Sequence, residues 1–359
     1  MAYKSPLAEM AATTPTQFWN DSCALNDLAF AIEHGAVGAT TNPVIVGQVL
    51  EAELPKHIPA IKELIASNPA ATEDDIAWLV NEKMATDGAK LLEPIYKKTE
   101  KKAGYISIQT HSKYYRSAEK IIKQTVRFSK LAENIMVKMP VTEAGIKAVE
   151  ECTYQGVNVN ATVSFTVPQA LAVAEAVKRG LARREKEGLD NSFLHPVCTI
   201  MAGRVDDYLF AKADAENIIV DPQAIIMSGV AVVKRAYEIY EERKYRTRLL
   251  VAAYRHHHHW SELIGGDLSM TIPPVWIRRF VSSDITVENR INNPVEPKLL
   301  AQLQKHFPDF CKAYEPTGLK PEEFTDFGMT VRTLDQFLKG YDKMVGIIRD
   351  VMVVEKRQV

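Results

Sequence analysis

The sequence holds 359 residues, and its 44 Lys and Arg stand against 45 Asp and Glu for a formal net charge of −1. No global positive field exists to draw in nucleic acid or an anionic membrane, so any anion site must be local. With 46% hydrophobic and 25% charged residues, the composition excludes disorder, collagen and coiled rods, and the length admits either two domains or one α/β barrel with an extension.

The opening MAYKSPLAEM lacks the apolar stretch of a signal peptide. Short β-rich runs follow at 17–20, 37–41, 105–109, 135–139, 157–160, 196–201, 249–253 and 268–272, with amphipathic helices between them. Thr72 with Asp75 three residues on opens one helix, and Gly104 closes the segment before the third strand. Another helix starts near Thr142 and ends before Gly156; the next has Pro168 at its start and Gly180 at its end. The charged insertion 181–195 reads as a solvated loop. Strands alternating with helices imply parallel pairing through right-handed crossovers. Eight such units close a (β/α)8 TIM barrel, and no GxGxxG or GxxxxGK[ST] occurs to favour a nucleotide-binding sheet.

The apolar run 224–233 is broken by Ser228 and is far shorter than the roughly 20 residues of a spanning helix. Cys23, Cys152, Cys198 and Cys311 form no CxxC pair and read as buried thiols of a reducing compartment, so a cytoplasmic protein is expected. Beyond the eighth strand a helical tail is punctuated by Pro294, Pro297, Pro308 and Pro321. Its last helix carries Leu334, Phe337, Tyr341, Met344, Ile348 and Val351 as one apolar stripe, to pack on the barrel or to form a homodimer, with lid duty over the barrel mouth compatible with either. The expected division is 1–285 for the catalytic barrel and 286–359 for the extension.

Reactive groups of such barrels sit where strands end. There stand Asp21, Thr41 with Asn42, Gln109 with His111, Lys138, Asn160 with Thr162, Thr199, and Arg255. Lys138 lies in the apolar run IMVKMP. A lysine made less basic by burial can attack a ketone and form a Schiff base; taken alone, a lysine reaching solvent is the commoner case. Asp21 could move protons, Asn42 and Asn160 could hold hydroxyls, and Thr162 or Thr199 could position water, although Asp and Asn at strand ends also cap and turn. Together they suit a class I aldolase.

The segments GATTNP at 38–43, VKMP at 137–140 with TEAGIKA at 142–148, GVNVNAT at 156–162, AGR at 202–204 and AAYR at 252–255 resemble the transaldolase family in order, from about residue 21 to 274. The resemblance implies that Lys138 is the Schiff-base lysine, Asp21 the proton-transfer carboxylate, and Asn42 and Asn160 the hydroxyl binders. It further implies that Thr162 positions a catalytic water, that Thr199 stands where the family has serine, and that Arg204 with Arg255 forms a phosphate clamp. Without it, Arg204 beside Asp206 and Asp207 reads as a surface ion pair.

Three departures stand out. Gln109, in SIQTH, takes the place of a glutamate working through the water, and an amide cannot exchange a proton as a carboxylate does. Asp21 would then act alone or with His111. Gln109 also resembles fructose-6-phosphate aldolases, but these carry a tyrosine where Met201 stands; Ala253 replaces a phosphate-binding serine.

The implied activity is transfer of a dihydroxyacetone unit from a ketose phosphate to an aldose phosphate. The alternatives are an aldolase-like lyase with the same chemistry, or a non-catalytic sugar-phosphate-binding barrel. No cofactor is implied, and the partners are small sugar phosphates rather than nucleic acid or membrane. In the run His256 to His259 only His256 and His259 share a helix side, so positive potential or hydrogen bonds beside the phosphate are expected there, and no metal ligand is assigned.

Overall fold

The structure is a computed structural model and describes residues 3–353; the outermost parts of the two expected domains, 1–2 and 354–359, lie outside the described residues. Strands β1 (Gln17–Asn20), β2 (Gly38–Thr40), β3 (Tyr105–Gln109), β4 (Ile135–Pro140), β5 (Val159–Ser164), β6 (Val197–Met201), β7 (Arg248–Ala252) and β8 (Ser269–Ile272) pair in parallel in chain order. They form the closed barrel expected, with Gln17 to Asn20 of β1 against Ser269 to Ile272 of β8. The fifth strand starts later than expected and runs further. Gly156, at φ 79°, turns the chain out of the preceding helix, and a register shift between Ala161 and Ser164 lets β5 continue.

Side chains alternate between the two faces of a strand, and that parity sorts the sequence. Ile106 and Ile108, Val137 and Met139, Val159 and Ala161, Cys198 and Ile200, and Leu249 and Val251 join the core shared with the helices. The other parity faces inward. Trp19, Tyr105, Met136, Val197 and Leu250 form a separate apolar cluster, contributed by five strands, which plugs the barrel from within. Gly38 makes room for it, since a Cβ there would come within 2.7 Å of the Trp19 ring. Two residues further along β3, β4 and β6, the same inward parity carries Ser107, Lys138 and Thr199. A polar layer therefore sits directly above the plug.

The helices begin largely where the sequence places them. Thr72 and Asp75 make a reciprocal capping box for helix Glu73–Lys98, and Thr142 caps helix Glu143–Tyr154. Gly180 is a correction, because helix Val167–Lys186 runs straight through it. A Cβ at 180 would lie 2.6 Å from the Glu150 carbonyl oxygen; the glycine permits close helix crossing and does not end the helix. The supposed solvated loop at 181–195 accordingly starts as packed helix, with Leu181 and Arg184 buried. Arg184 donates to the Asn191 side chain at 2.8 Å and to the Tyr154 carbonyl at 2.9 Å.

The tail contains helices Pro297–His306, Pro308–Tyr314 and Gly328–Val353. Leu299, Leu303, Phe307 and Phe310 join the core shared with the barrel. The last helix lies along helices Pro43–Ser67 and Glu73–Lys98 and reaches β5 and helix Ala202–Glu216, so it crosses the end of the barrel where the strands finish. Its apolar stripe is buried in full. Because that stripe is covered by the chain's own helices, it offers no apolar face to a second copy. All four cysteines are free; Cys23, Cys152 and Cys198 are buried as expected, whereas Cys311 is half-buried. Among the described residues no helix is long and apolar enough to cross a membrane.

Candidate active site

Lys138 is 4% exposed. Its strand neighbours at the same level are Gln109 on β3 and Asn160 on β5. Burial pushes the amine below its usual basicity, and the charge of the Asp21 carboxylate partly restores it. For Asp21 the order of causes is the same: burial raises its pKa, while Lys138 and the Thr40 hydroxyl draw it down. Both shifts favour the uncharged forms, because a low-dielectric interior penalises each charge. An amine and a carboxyl poised in this way can attack a carbonyl and hand protons on.

Around the pair the inner layer is hydrogen-bonded into fixed orientations. The Thr40 hydroxyl donates to Asp21 Oδ1 at 2.5 Å and lies equally close to the Thr271 hydroxyl. Asn160 Nδ2 donates to Ser107 Oγ at 3.0 Å, and its Oδ1 accepts from Thr199 at 2.7 Å, which fixes the amide across three strands. Thr162 follows on the same inward parity of β5 and is buried. Gln109 donates through Nε2 to Ser112 at 3.2 Å, and its Oε1 is buried without a partner. Asn42 caps helix Pro43–Ser67, its Oδ1 accepting from the Val44 and Ile45 amides. Only its Nδ2 side is left for a ligand.

Arg204 and Arg255 come together at the mouth, and the surface ion pair of Arg204 with Asp206 and Asp207, the reading without the resemblance, does not form. Arg255 makes a paired hydrogen bond to Asp207, Nε at 2.9 Å and Nη2 at 2.6 Å. Arg204 bonds to neither Asp206 nor Asp207 but donates to Gln336 of the C-terminal helix. Burial, with Arg255 nearby, brings its pKa down to about 10. The approach depends on Gly203: a Cβ there would stand 1.9 Å from the Ala253 carbonyl oxygen. Ala253 itself adopts φ 67°, a left-handed conformation that aims this carbonyl.

Asp206 is 2% exposed and anchors the other side of this corner. Its Oδ1 accepts from the Ser228 hydroxyl and the Gly229 amide, each at 2.9 Å, and Nε2 of His256 and of His259 each lie 2.9 Å from Oδ2. Burial alone would raise its pKa, but His259 and His256 outweigh it and hold the carboxyl below its ordinary value. The three groups have their ligand atoms within 4.8 Å of one another, as a metal site would. The tautomer of His259 argues against a metal. His259 Nδ1 accepts from the Arg255 amide at 3.1 Å, so the ring proton sits on Nε2, the atom that faces Asp206. His259 thereby holds the backbone of Arg255. His256 and His259 are the two histidines that meet one group, although the helix is only His258–Ser261 and His256 precedes it, so the expected helical spacing is not what joins them.

His111 is not brought into the polar layer. Its ring packs against Trp78, Tyr114 and Tyr341, with centroids 5.3, 5.0 and 4.3 Å away. Burial and then Lys113 bring its pKa down to about 4, against the opposing pull of Asp74 and Asp342. An unfolded chain would bind a proton at His111 near pH 6.5 that the folded chain refuses until about pH 4. The neutral ring's contribution to stability is therefore complete above pH 6.5 and is lost as pH falls through this window. The urea midpoint of the wild type should drop between pH 7 and 4.5, and less steeply in His111→Phe; identical slopes in the two proteins would rule the assignment out.

Ser107, Thr40 and Thr271 were not among the expected site residues. The two-residue parity back from Gln109 marks Ser107, and β8 holds Thr271 between two outward apolar residues. Gln336 has no such signal, because it reaches Arg204 from 132 positions away.

The family model described as "Transaldolase/Fructose-6-phosphate aldolase" matches residues 18–325. Among similar curated proteins, "Transaldolase" of Kocuria rhizophila is 27% identical over 246 residues, covering 64% of this chain and 66% of that protein. "Transaldolase 1" of Streptomyces avermitilis is 30% identical, covering 60% of this chain and 57% of that protein. "Transaldolase 2" of Nostoc punctiforme is 31% identical, covering 52% and 58%. The chain thus spans about three-fifths of the length of these relatives. Since the family match extends from the first strand of the closed barrel into the tail, the chain belongs to the transaldolase/fructose-6-phosphate aldolase family.

Proposed function

We propose that the protein transfers a dihydroxyacetone unit from a ketose phosphate to an aldose phosphate through a Schiff base on Lys138. The observation that carries this reading is a lysine 4% exposed in the polar layer of the barrel, level with Gln109 and Asn160 and near enough to Asp21 to feel its charge. The neutral amine attacks the ketose C2, and loss of water gives the iminium. Asp21 takes the proton of the 4-hydroxyl as the C3–C4 bond breaks, which releases an aldose phosphate and leaves an enamine on Lys138. The enamine carbon then attacks the acceptor aldehyde while Asp21 returns the proton, and water frees the product. Asn160 and the Nδ2 of Asn42 are suited to hold hydroxyls, Thr162 and Gln109 to position the water, and Thr199 to fix Asn160. Arg204 and Arg255 receive the phosphate.

This sequence of steps calls for no cofactor. Near-zero net charge supplies no field for nucleic acid or membrane and leaves small sugar phosphates as the partners, and the free, largely buried thiols favour the cytoplasm as the place of action. We assign catalysis to residues 1–285 and a covering role to 286–359.

Borohydride added with fructose 6-phosphate should leave a stable mass adduct on Lys138; an unmodified Lys138 after treatment with several ketose phosphates would sink the proposal. The unpartnered Oε1 of Gln109 favours one second reading, an aldolase that protonates the enamine and releases dihydroxyacetone. Running the reaction with and without erythrose 4-phosphate separates the two, since a transferase turns over only with the acceptor present.

A further inference from the structure

The two guanidiniums at the mouth are unequally engaged. Arg255 commits Nε and Nη2 to the Asp207 carboxylate and Nη1 to the Tyr254 carbonyl at 2.9 Å, leaving two of its five N–H groups for a ligand. Arg204 has no carboxylate partner. Its Nη1 meets the side-chain carbonyl of Gln336, its guanidinium lies 5.5 Å over the Phe337 ring, and its Nε is buried without an acceptor. Gln336 and Phe337 belong to the C-terminal helix. That helix also brings Arg332, whose Nη1 donates to the main-chain carbonyl of Asp207 at 3.0 Å.

A carboxamide oxygen can occupy one acceptor position on a guanidinium, but it leaves the positive charge unneutralised. Three guanidiniums gather here, and among the described residues only Arg255 bonds the Asp207 carboxylate; Asp206 is taken up by His256 and His259, and Asp21 and Asp207 act on Arg204 only through their charge, so the corner keeps cationic donors free towards the mouth. The unpartnered Arg204 Nε lies on the same side chain as the position held by Gln336. A phosphate monoester, with three terminal oxygens and two negative charges, matches this donor set better than a neutral hydroxyl does.

Resting on the sugar-phosphate reading above, we infer that Arg332 and Gln336 of the C-terminal helix complete the phosphate site. Gln336 holds an acceptor position on Arg204 that a phosphate oxygen takes over, and Arg332 supplies a third cation. The helix thereby selects phosphorylated over unphosphorylated ketoses. Gln336 is exposed on its outer side and is free to turn away when the dianion arrives, while the buried Phe337 keeps the helix and Arg204 in place.

The test uses inorganic phosphate as the probe, titrated calorimetrically into the full chain, together with the ratio of kcat/KM for fructose 6-phosphate over fructose. Arg332→Ala should weaken phosphate binding about five- to tenfold and lower the ratio by a similar factor. Gln336→Glu, which sets a permanent carboxylate against Arg204, should weaken it more than about tenfold. Lys339→Ala removes one charge from the same helix, where it pairs with Asp335 at 2.7 Å, and should change neither reading by more than about twofold. Unchanged affinity in Arg332→Ala or in Gln336→Glu, equal losses in Lys339→Ala and Arg332→Ala, or no phosphate binding by the wild type overturns the inference. The borohydride adduct on Lys138 is read separately, so each of these failures, with the adduct present, removes the helix's part and leaves the Schiff-base reading intact.

Discussion

Replacing Lys138 by methionine is expected to reduce turnover by on the order of 10⁴-fold or more while leaving the fold intact. Methionine has nearly the same length and suits the buried position, so the melting temperature should stay level or rise as a desolvated amine is removed. Lys138→Arg should be equally inactive, because a guanidinium retains its proton and cannot serve as the nucleophile. Asp21→Asn is the informative partner. It removes the proton carrier, at a cost of about 10²- to 10⁴-fold, yet it also removes the charge that holds the amine's basicity up. Adduct formation with borohydride should therefore survive in Asp21→Asn and extend to lower pH. Wild-type-like turnover in Lys138→Met would end the Schiff-base proposal; loss of the adduct in a folded Asp21→Asn would show that the carboxyl is needed for imine formation itself.

Replacing Asp206 by alanine should have the largest effect on stability, about 3–5 kcal/mol. Three donors bond to this one carboxylate, the Ser228 hydroxyl, the Gly229 amide and the His256 imidazole, and His259 Nε2 lies 2.9 Å from it. Alanine leaves all of them facing a void in a corner with almost no access to water. The carboxyl's folded pKa is depressed, so its contribution is complete above the ordinary carboxylate range and fades as pH falls through the depressed value. Urea unfolding followed by tryptophan fluorescence should show the full difference at pH 7 and a smaller one in strong acid. A loss below about 1 kcal/mol at pH 7 would mean that water replaces the carboxylate. Because His259 Nδ1 holds the Arg255 amide, the folded fraction of Asp206→Ala should also have a raised KM for a phosphorylated ketose.

The barrel was legible because its strands are short apolar runs bounded by recognisable helix starts. Thr72 with Asp75 and Thr142 are local signals, decided by hydrogen bonds within a turn. Gly180 misled for a physical reason. A glycine ends a helix through its own backbone freedom, but it also admits a neighbouring helix, and only the position of Glu150 shows which use applies. Asn42 had two readings from the start, and the cap is observed while one face of the amide stays available. Read from its neighbours alone, Arg204 would pair with Asp206 and Asp207, yet Asp207 went to Arg255 and Asp206 to two histidines fifty or more positions away.

By itself the sequence determined the eight-stranded alternation, the helix caps and the placement of a lysine within an apolar strand, since each depends on residues within one turn or one strand. Only the tertiary structure decided which groups surround Lys138, which partners Arg204 and Arg255 meet, and that a helix more than a hundred residues downstream reaches both Arg204 and Asp207. Charge pairing and desolvation depend on distance in space. Closing the barrel brings β1 against β8, and folding the tail across its mouth sets Gln336 on Arg204; chain separation encodes neither contact.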